Sequence, residues 1–451
     1  MIMESEQDII LQKLSSQHIR VAVVGNVDSG KSTLIGSLVS SSLDDGRGMA
    51  RSTIMKHEHE LKSGRTSTIG VNVLGIDDNY QTVLGCDYKD VVLKSNRLVS
   101  LMDLAGHEKY LKTTIEGISR GMADYALVLV NASQPPTHMT IHHLKLCSSM
   151  GIPVIVLLTK ADRSSSHVFQ STKKEISRIL KSPDLGLKRP FVVKTQKDIE
   201  LVQNKLTNAA VLVPIISISC VTGEGMDVLQ QLLANLPQRR HHAIKQRDKP
   251  FEFLIEDIYH QVPGVGTVIS GFVSRGEWKK GEALYIGPLK DGTIFKAIPK
   301  STHVAQSCVD RVWAGHSVCF AIPKPLKGRR LLLSRKGMVA MKELFQFSNE
   351  FVADIYLTKG QVVTIQKNRF APTIQLLHNK VTGKVIDIVI RDSIHGGELS
   401  QEAGTIRPGD RATVTFQVHK HRPAFVRPGM RVILRERHVL GYGIVLSSKT
   451  V

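Results

Sequence analysis

Short apolar runs alternate with helix-like stretches through the first half of the chain. Five of these runs precede a glycine or polar residue, at residues 19–24, 98–102, 125–130, 153–158 and 211–218. Continuous apolar runs of this length are typical of parallel strands that are buried on both faces. With helices between them, they predict a mostly parallel, doubly wound α/β domain whose functional loops follow the carboxyl ends of the strands.

The pattern changes in the second half. Glycine and proline residues there separate short strand-like runs, which include residues 251–259, 267–274 and 317–322. Such punctuation is typical of an all-β sandwich or barrel. We expect the linker between the two halves at residues 238–249 and a second boundary near residues 342–348.

Length and charge narrow the class of protein. The chain has 451 residues, too many for one ordinary domain, and a formal net charge of +20. This excess favours polyanionic partners such as RNA, although solubility alone is the alternative explanation. Basic clusters recur at residues 239–240, 279–280, 327–330 and 419–422.

The cysteines and the apolar runs indicate the cellular compartment in which the protein is expected. Five scattered cysteines form no C-x-x-C pair, and their odd number argues against a disulfide framework. The first residues have no signal-peptide core, and no apolar run is long enough to span a bilayer. We therefore expect a soluble, cytoplasmic protein without a membrane partner.

The strongest chemical signal is the segment GNVDSGKS at residues 25–32. It fits G-x-x-x-x-G-K-[ST] between a predicted strand and a predicted helix over residues 33–39. In this motif backbone N–H groups surround the phosphates, Lys31 reaches the β- and γ-phosphates, and the Ser32 hydroxyl binds Mg²⁺. The predicted nucleotide-binding residues are Asn26, Val27, Asp28, Ser29, Gly30, Lys31, Ser32 and Thr33.

A second motif, DLAGHE, follows the next predicted buried strand. Asp103 is expected to hold Mg²⁺ through water, and the Gly106 amide to sense the γ-phosphate. His107 is the candidate for orienting the attacking water, with an ordinary surface histidine as the alternative. A further Mg²⁺-binding hydroxyl is expected between the two motifs, where Thr66, Ser67 and Thr68 all qualify chemically.

The segment TKAD at residues 159–162 predicts the nucleobase. The Asp162 carboxylate can accept hydrogen bonds from guanine N1–H and N2–H₂, and the Lys160 stem can cover the base. Thr159 stands where this motif usually has asparagine. Because threonine has a hydroxyl in place of an amide, the motif does not determine which group contacts the other edge of the base. Ser219 and Cys220, after the last strand, are expected to meet the guanine carbonyl with backbone N–H groups.

Together these motifs resemble the translational GTPases of the elongation factor Tu type. GHE at residues 106–108 is similar to their motif, in contrast to the glutamine of Ras-like switches, and PGVGTVISG at 263–271 resembles the start of their second domain. A closer resemblance is to the GTP-binding protein 1 and 2 subfamily. The residues that support it are 57–60, 63–67, 159–162, 221–225 and 335–339.

The resemblance implies a GTPase domain at residues 16–240 and β-barrels at 249–342 and 345–451. It implies that Thr66 is the Mg²⁺-binding threonine and His107 the catalytic residue, assisted by Lys31 and Gly106. It also implies that Val27 belongs to an apolar gate over His107, and that Asp28 helps to hold a monovalent cation near the phosphates.

The expected function is conversion of GTP to GDP and phosphate, with Mg²⁺, by a monomer that acts on the ribosome and binds tRNA or another RNA. One alternative is a GTP-gated switch in RNA surveillance or decay, with the barrels as a protein-binding module. A second is a metabolic GTPase like the GTPase subunit of sulfate activation, although that role gives no reason for a charge of +20.

Overall fold

The structure is a computed structural model. It describes residues 5–55, 70–106, 114, 123–206, 211–239, 246–289, 292–323, 337–358, 364–376, 379–393, 404–418, 424–435 and 439–450. The chain divides into two compact units, Met1–His241 and His242–Val451.

The first unit is an α/β domain. Its described helices are α1 (Glu6–Ser16), α2 (Lys31–Ser40), α3 (Met49–Ser52), α4 (Tyr88–Lys94), α5 (His138–Ser149), α6 (Ser166–Leu180), α7 (Gln196–Leu206) and α8 (Met226–Asn235). Its described strands are β1 (His18–Gly25), β2 (Gly70–Ile76), β3 (Thr82–Val83), β4 (Arg97–Asp103), β5 (Tyr125–Asn131), β6 (Val154–Thr159), β7 (Arg189–Val192) and β8 (Leu212–Ser217).

These strands form one sheet in the order β3-β2-β4-β1-β5-β6-β8-β7. β1 pairs in parallel with β4 and β5, whereas β2 and β3 add an antiparallel edge. Every residue of β1 and β6 is buried, because helices cover both faces of the sheet centre. The carboxyl ends of β1, β4 and β6 consequently lie on one edge, where the predicted motifs follow them.

The second unit is all-β. Its first ten described strands are β9 (Glu252–Val262), β10 (Gly266–Arg275), β11 (Glu277–Lys279), β12 (Leu284–Gly287), β13 (Phe295–Ala297), β14 (Ser301–Val304), β15 (Ser307–Cys308), β16 (Arg311–Trp313), β17 (Ser317–Ile322) and β18 (Val339–Met341). Eight of them form a sheet in the order β13-β12-β18-β9-β10-β17-β14-β15, and β11 pairs with β16. Phe320 packs edge-to-face with Phe253 and Trp278 at the centre, each at 5.0 Å between ring centroids.

The remaining described strands are β19 (Ser348–Leu357), β20 (Ile365–Gln366), β21 (Thr373–Leu376), β22 (Asn379–Asp392), β23 (Thr405–Ile406), β24 (Arg411–Val418), β25 (Arg431–Arg435) and β26 (Val439–Thr450). Six of these close into a barrel in the order β19-β24-β22-β21-β25-β26. Burial alternates along β19 and β24, so that one face fills the barrel and the other meets solvent. Phe351 and Phe416 stack inside it, 5.3 Å apart.

The predicted fold class, an α/β P-loop domain followed by all-β domains, is confirmed. Among the described strands, the eight-stranded sheet is open, with β13 and β15 at its edges, whereas the six later strands close into a barrel. The short strand β7 was not predicted, since its four residues are at most half-buried and include Arg189 and Pro190. Among the described helices, none is both long and apolar enough to cross a bilayer.

Candidate nucleotide-binding site

The loop between β1 and α2 has the backbone of a phosphate-binding turn. Gly30 (φ 89°) precedes α2 in the left-handed region, and Asp28 (φ 60°) adopts the same region, which is uncommon for a residue with a side chain. The Asn26 carbonyl oxygen accepts hydrogen bonds from the Ser29 N–H and the Ser29 hydroxyl, at 3.3 and 2.9 Å. These bonds curl the chain so that the first turn of α2 opens towards a ligand.

Lys31 lies beneath this loop and is buried. Its Nζ donates to the carbonyl oxygens of Gly25 (3.2 Å) and Asn26 (2.9 Å). Burial lowers the pKa of Lys31, while Asp103 and Asp28 act in the opposite direction. A cation held in a desolvated position gains more from a nearby phosphate than one in water, because screening there is weaker.

Two oxygen ligands suited to Mg²⁺ meet below the loop. The Ser32 hydroxyl donates to Asp103 Oδ2 at 2.7 Å, although the two residues are 71 positions apart. Asp103 ends β4 and is buried, and β4 lies beside β1 in parallel register. A hydroxyl and a carboxylate are the hard oxygen donors that Mg²⁺ prefers, so these residues fit the ion.

Gly106 closes one side of the phosphate loop. A Cβ on this residue would lie 2.5 Å from the Gly25 carbonyl oxygen and still closer to Lys31 Nζ. Ala105, just before it, accepts a 2.7 Å hydrogen bond from the buried Thr114 hydroxyl. Only glycine fits this approach, which places the Gly106 backbone directly against the predicted phosphate site.

Thr159 joins the base-binding motif to the phosphate loop. Its hydroxyl donates to the Ser29 carbonyl oxygen at 2.8 Å, and the Val130 carbonyl oxygen lies 3.3 Å away. Thr159 is buried and its hydroxyl points into the protein, so it couples the two motifs. The following residue, Lys160, adopts a left-handed conformation (φ 58°) and turns the chain towards Asp162.

The loop after β8 is held by its own hydrogen bonds. The Ser219 hydroxyl accepts from the N–H groups of Val221 and Thr222, at 3.2 and 3.1 Å. The Ser219 N–H donates to the Glu224 carbonyl oxygen at 2.9 Å, so this donor serves the loop. Burial raises the pKa of the Cys220 thiol to about 12, which makes it an unreactive wall residue.

These loops surround an open cavity of about 250 Å³. Predicted residues that line it are Gly30, Thr33, Thr159, Lys160, Asp162 and Cys220. The carboxylate, the lysine stem and the helix N-terminus thus share one concave surface. His107 and Thr66 lie outside the described residues.

Several lining residues were not predicted. Asp44, Arg47, Arg51, Arg163 and Val221 also contribute to the cavity wall. The sequence DDGRG at residues 44–48 was the available signal, since glycines beside acidic residues mark a tight turn with capped N–H groups. Its place beside the nucleotide motifs depends on tertiary contacts that no local pattern reveals.

Comparison with known proteins agrees with this geometry. Residues 16–238 match the family model of the elongation factor Tu GTP binding domain. The chain is 34% identical to GTP-binding protein 1 of Xenopus laevis over 97% of its own length and 65% of that protein. It is 32% identical to GTP-binding protein 2 of Mus musculus over 96% of its own length and 70% of that protein.

Solved structures share the fold. Translation elongation factor SelB from Methanococcus maripaludis, in complex with the GTP analogue GppNHp, superposes with a TM-score of 0.66 at 18% identity. That match covers 97% of this chain and 80% of the other. A bacterial selenocysteine-specific elongation factor gives a TM-score of 0.62 at 20% identity, over 95% of this chain and 58% of the other.

The fold and the loops around the cavity define a P-loop GTPase of the elongation factor Tu type. Within that class the chain belongs to the family of GTP-binding proteins 1 and 2. It spans 65% of the length of the Xenopus laevis relative.

Proposed function

We propose that this chain binds GTP, hydrolyses it to GDP and phosphate, and uses the cycle to control RNA binding on the ribosome. The observation that supports this most directly is the convergence of the phosphate-loop lysine, the Ser32–Asp103 oxygen pair and Asp162 at one edge of the sheet. Such a site can hold a triphosphate, a metal and a guanine together.

Each motif has a separate task in this proposal. Lys31 and the backbone N–H groups of residues 26–33 bind the phosphates, with Asp28 beside a monovalent cation. Ser32, Asp103 and Thr66 hold Mg²⁺, which supplies charge neutralisation at the phosphates when bound. Asp162 recognises guanine and Lys160 covers the base. Thr159 and Cys220 line the wall around it, and Ser219 holds the loop that carries Cys220.

Hydrolysis in this site depends on positioning. The Gly106 backbone faces the Lys31 ammonium, so it is placed to respond to the γ-phosphate. His107 follows it in sequence, and we propose that it orients the attacking water once Val27 no longer shields it. Placement of a water and stabilisation of phosphate charge account for most of catalysis in this reaction class.

The ribosomal role rests on charge and on fold. A net charge of +20 favours RNA, and two neighbouring folds are those of named translation elongation factors. We propose a cytoplasmic monomer with a GTPase domain over residues 16–240 and barrels over 249–342 and 345–451. A tRNA or another RNA is its proposed cargo.

Ribosome-stimulated GTP hydrolysis tests the proposal. Single-turnover rates are measured with and without ribosomes, for the parent and for His107→Ala. We expect ribosomes to accelerate the parent. The variant should keep GTP affinity within about threefold and lose on the order of 100-fold in the stimulated rate. No stimulation of the parent would favour the surveillance switch, and equal rates for parent and variant would remove His107 from the mechanism.

A further inference from the structure

A segment outside the recognised nucleotide motifs forms one wall of the cavity. This wall segment, residues 44–51, follows α2 and contributes Asp44, Arg47 and Arg51 to the lining. The other lining residues belong to the start of α2 and to the loops after β6 and β8.

The acidic side chains of the wall segment bind its own backbone. The Asp44 carboxylate accepts hydrogen bonds from the N–H groups of Gly46 (3.0 Å) and Ala50 (2.9 Å). The Asp45 carboxylate accepts three more, at 2.8, 3.0 and 3.1 Å, from successive N–H groups at 47–49. Both carboxylates therefore bind N–H groups of the segment itself, and within the described residues neither forms an ion pair with Arg47 or Arg51.

The wall segment is also attached to the rest of the site. The Asp44 N–H donates to the Cys220 carbonyl oxygen at 2.8 Å, which fixes one end to the loop after β8. At the other end, Gly36 of α2 packs so closely against the Ala50 carbonyl that a Cβ would collide with it. The segment is thereby held at a fixed place beside the nucleotide motifs.

Arg51 is placed by this framework. Gly48 has a left-handed backbone (φ 101°), and a Cβ there would lie 2.5 Å from Arg51 Nε. The guanidinium therefore packs directly against the Gly48 backbone in the cavity wall. Within the part of the chain that the structure describes, no carboxylate lies within ion-pair distance of Arg51. A fixed guanidinium without a carboxylate partner is a strong site for a phosphate.

The lining of the cavity indicates which phosphate of the nucleotide Arg51 can contact. Its lining includes Gly30 and Thr33 of the phosphate-loop motif and Asp162 of the base motif, but neither Lys31 nor Ser32. The β- and γ-phosphates belong to Lys31 and Ser32, so the cavity receives the base, the ribose and the phosphate next to the ribose. Arg51 lines this same space.

We propose that Arg51 is a nucleotide-binding residue whose guanidinium contacts the α-phosphate, a group common to GDP and GTP. This inference rests on the proposed function and adds a second cation on the base-proximal side of the phosphate chain. Because the α-phosphate is present in both nucleotide states, the contact should hold the nucleotide through the cycle without favouring either state.

The test is equilibrium binding of GDP and of a non-hydrolysable GTP analogue to the full chain at two salt concentrations. Arg51→Ala should weaken both ligands equally, by about 10- to 100-fold at about 50 mM salt. The difference from the parent should shrink at about 500 mM salt, because the contact is ionic. Arg51→Lys should restore part of the affinity at low salt, and Arg178→Ala, an exposed arginine of α6, should change neither ligand.

Each other outcome has a distinct meaning. A parent chain that binds neither nucleotide contradicts the proposed function itself. If the parent binds and Arg51→Ala binds equally well, the inference is wrong. It is also wrong if only the GTP analogue is weakened, or if the loss is independent of salt and lysine does not restore it. Should Arg51→Ala fail to fold, Arg51→Gln replaces it, since it keeps a long polar stem without the charge.

Discussion

Asp162 is the residue on which nucleotide choice depends in this account. It lines the cavity beside Lys160, at the end where the base is expected. Asp162→Asn exchanges an acceptor for a donor at one position, so preference should move from GTP towards XTP. Losing the paired hydrogen bonds should weaken GTP by roughly 30- to 1000-fold. Competition binding measures both affinities, with the exposed Asp227→Asn as control; unchanged GTP affinity would show that the base site is misassigned.

Gly106 permits a prediction from shape alone. Gly106→Ala places a Cβ against Lys31 Nζ and the Gly25 carbonyl oxygen, so the phosphate loop must shift. We expect weaker nucleotide binding and at least about tenfold slower hydrolysis, because small displacements of phosphate ligands are costly. Gly70→Ala is the matched control, since among the described residues its Cβ would make ordinary contacts, with Asp103 Cβ at 3.7 Å and Asn72 Nδ2 at 3.9 Å. Equal effects of the two substitutions would contradict a special role for Gly106.

The structure also shows which residues sequence patterns can identify. Lys31, Ser32 and Asp103 were predictable because each lies at a fixed offset from the end of a buried strand. The role of Thr159 was not, since its hydrogen bond to Ser29 joins residues 130 positions apart. Arg51 was equally hidden, because its place in the cavity depends on how the wall segment packs against α2.

At the scale of elements, the strands of the first unit were predictable where they are apolar on both faces. β1, β4, β5 and β6 agree with the apolar runs to within about one residue at each end. β2 was missed because only part of it is buried, as expected near the edge of the sheet, where only the two-residue strand β3 lies outside it. The turn chemistry of the second half indicated strands but did not determine which sheet each strand joins.

A buried ion pair in the second unit joins the eight-stranded sheet to the segment just before β25 of the barrel. Arg427, just before β25, donates to Glu252 of β9 from Nε at 2.7 Å, and Ser274 also donates to this carboxylate. Burial acts to raise the pKa of Glu252, but Arg427 and Ser274 outweigh it and hold the pKa below its ordinary value. A depressed pKa means that the stabilisation is complete above pH 4.5 and is lost as pH falls through the folded-state pKa.

Removing one partner of this pair should be costly. Arg427→Ala leaves the Glu252 carboxylate buried without its cation, and we expect a loss of about 3–5 kcal/mol at neutral pH. The loss should be smaller near pH 4, because the buried Glu252 carboxyl group of the variant, without Arg427, takes up a proton there and no longer carries an unpaired charge. Both tryptophans of the chain, Trp278 and Trp313, lie in this unit, so fluorescence during denaturant unfolding reports its stability.

The exposed pair Arg411–Asp354 supplies the control. Arg411→Ala removes a surface partner that solvent already screens, so its cost should be about 1 kcal/mol or less. If Arg427→Ala cost no more than this control, the pair would not be what stabilises the second unit. Replacement of both Glu252 and Arg427 by apolar residues should recover most of the loss.

The positive charge of the whole molecule fits both a general polyanion binder and an RNA binder that is regulated by nucleotide. Some basic clusters have structural partners: Arg239 donates to the Asp124 and Gly151 carbonyl oxygens, and Lys280 pairs with Asp310. The clusters at 327–330 and 419–422 lie outside the described residues. Charge alone therefore does not establish an RNA site, and regulation by nucleotide is the feature to measure.

We expect RNA binding by this chain to change with the bound nucleotide. Binding of tRNA and of ribosomes is measured over a range of salt, once with a non-hydrolysable GTP analogue and once with GDP. Affinity for the right RNA should fall with salt, with a log–log slope of about −0.7 per phosphate neutralised on a single strand. The two nucleotide states should differ by at least about tenfold, because a carrier must release its cargo after hydrolysis. A steep dependence on salt with equal affinity in both states would contradict the account and leave only non-specific polyanion binding.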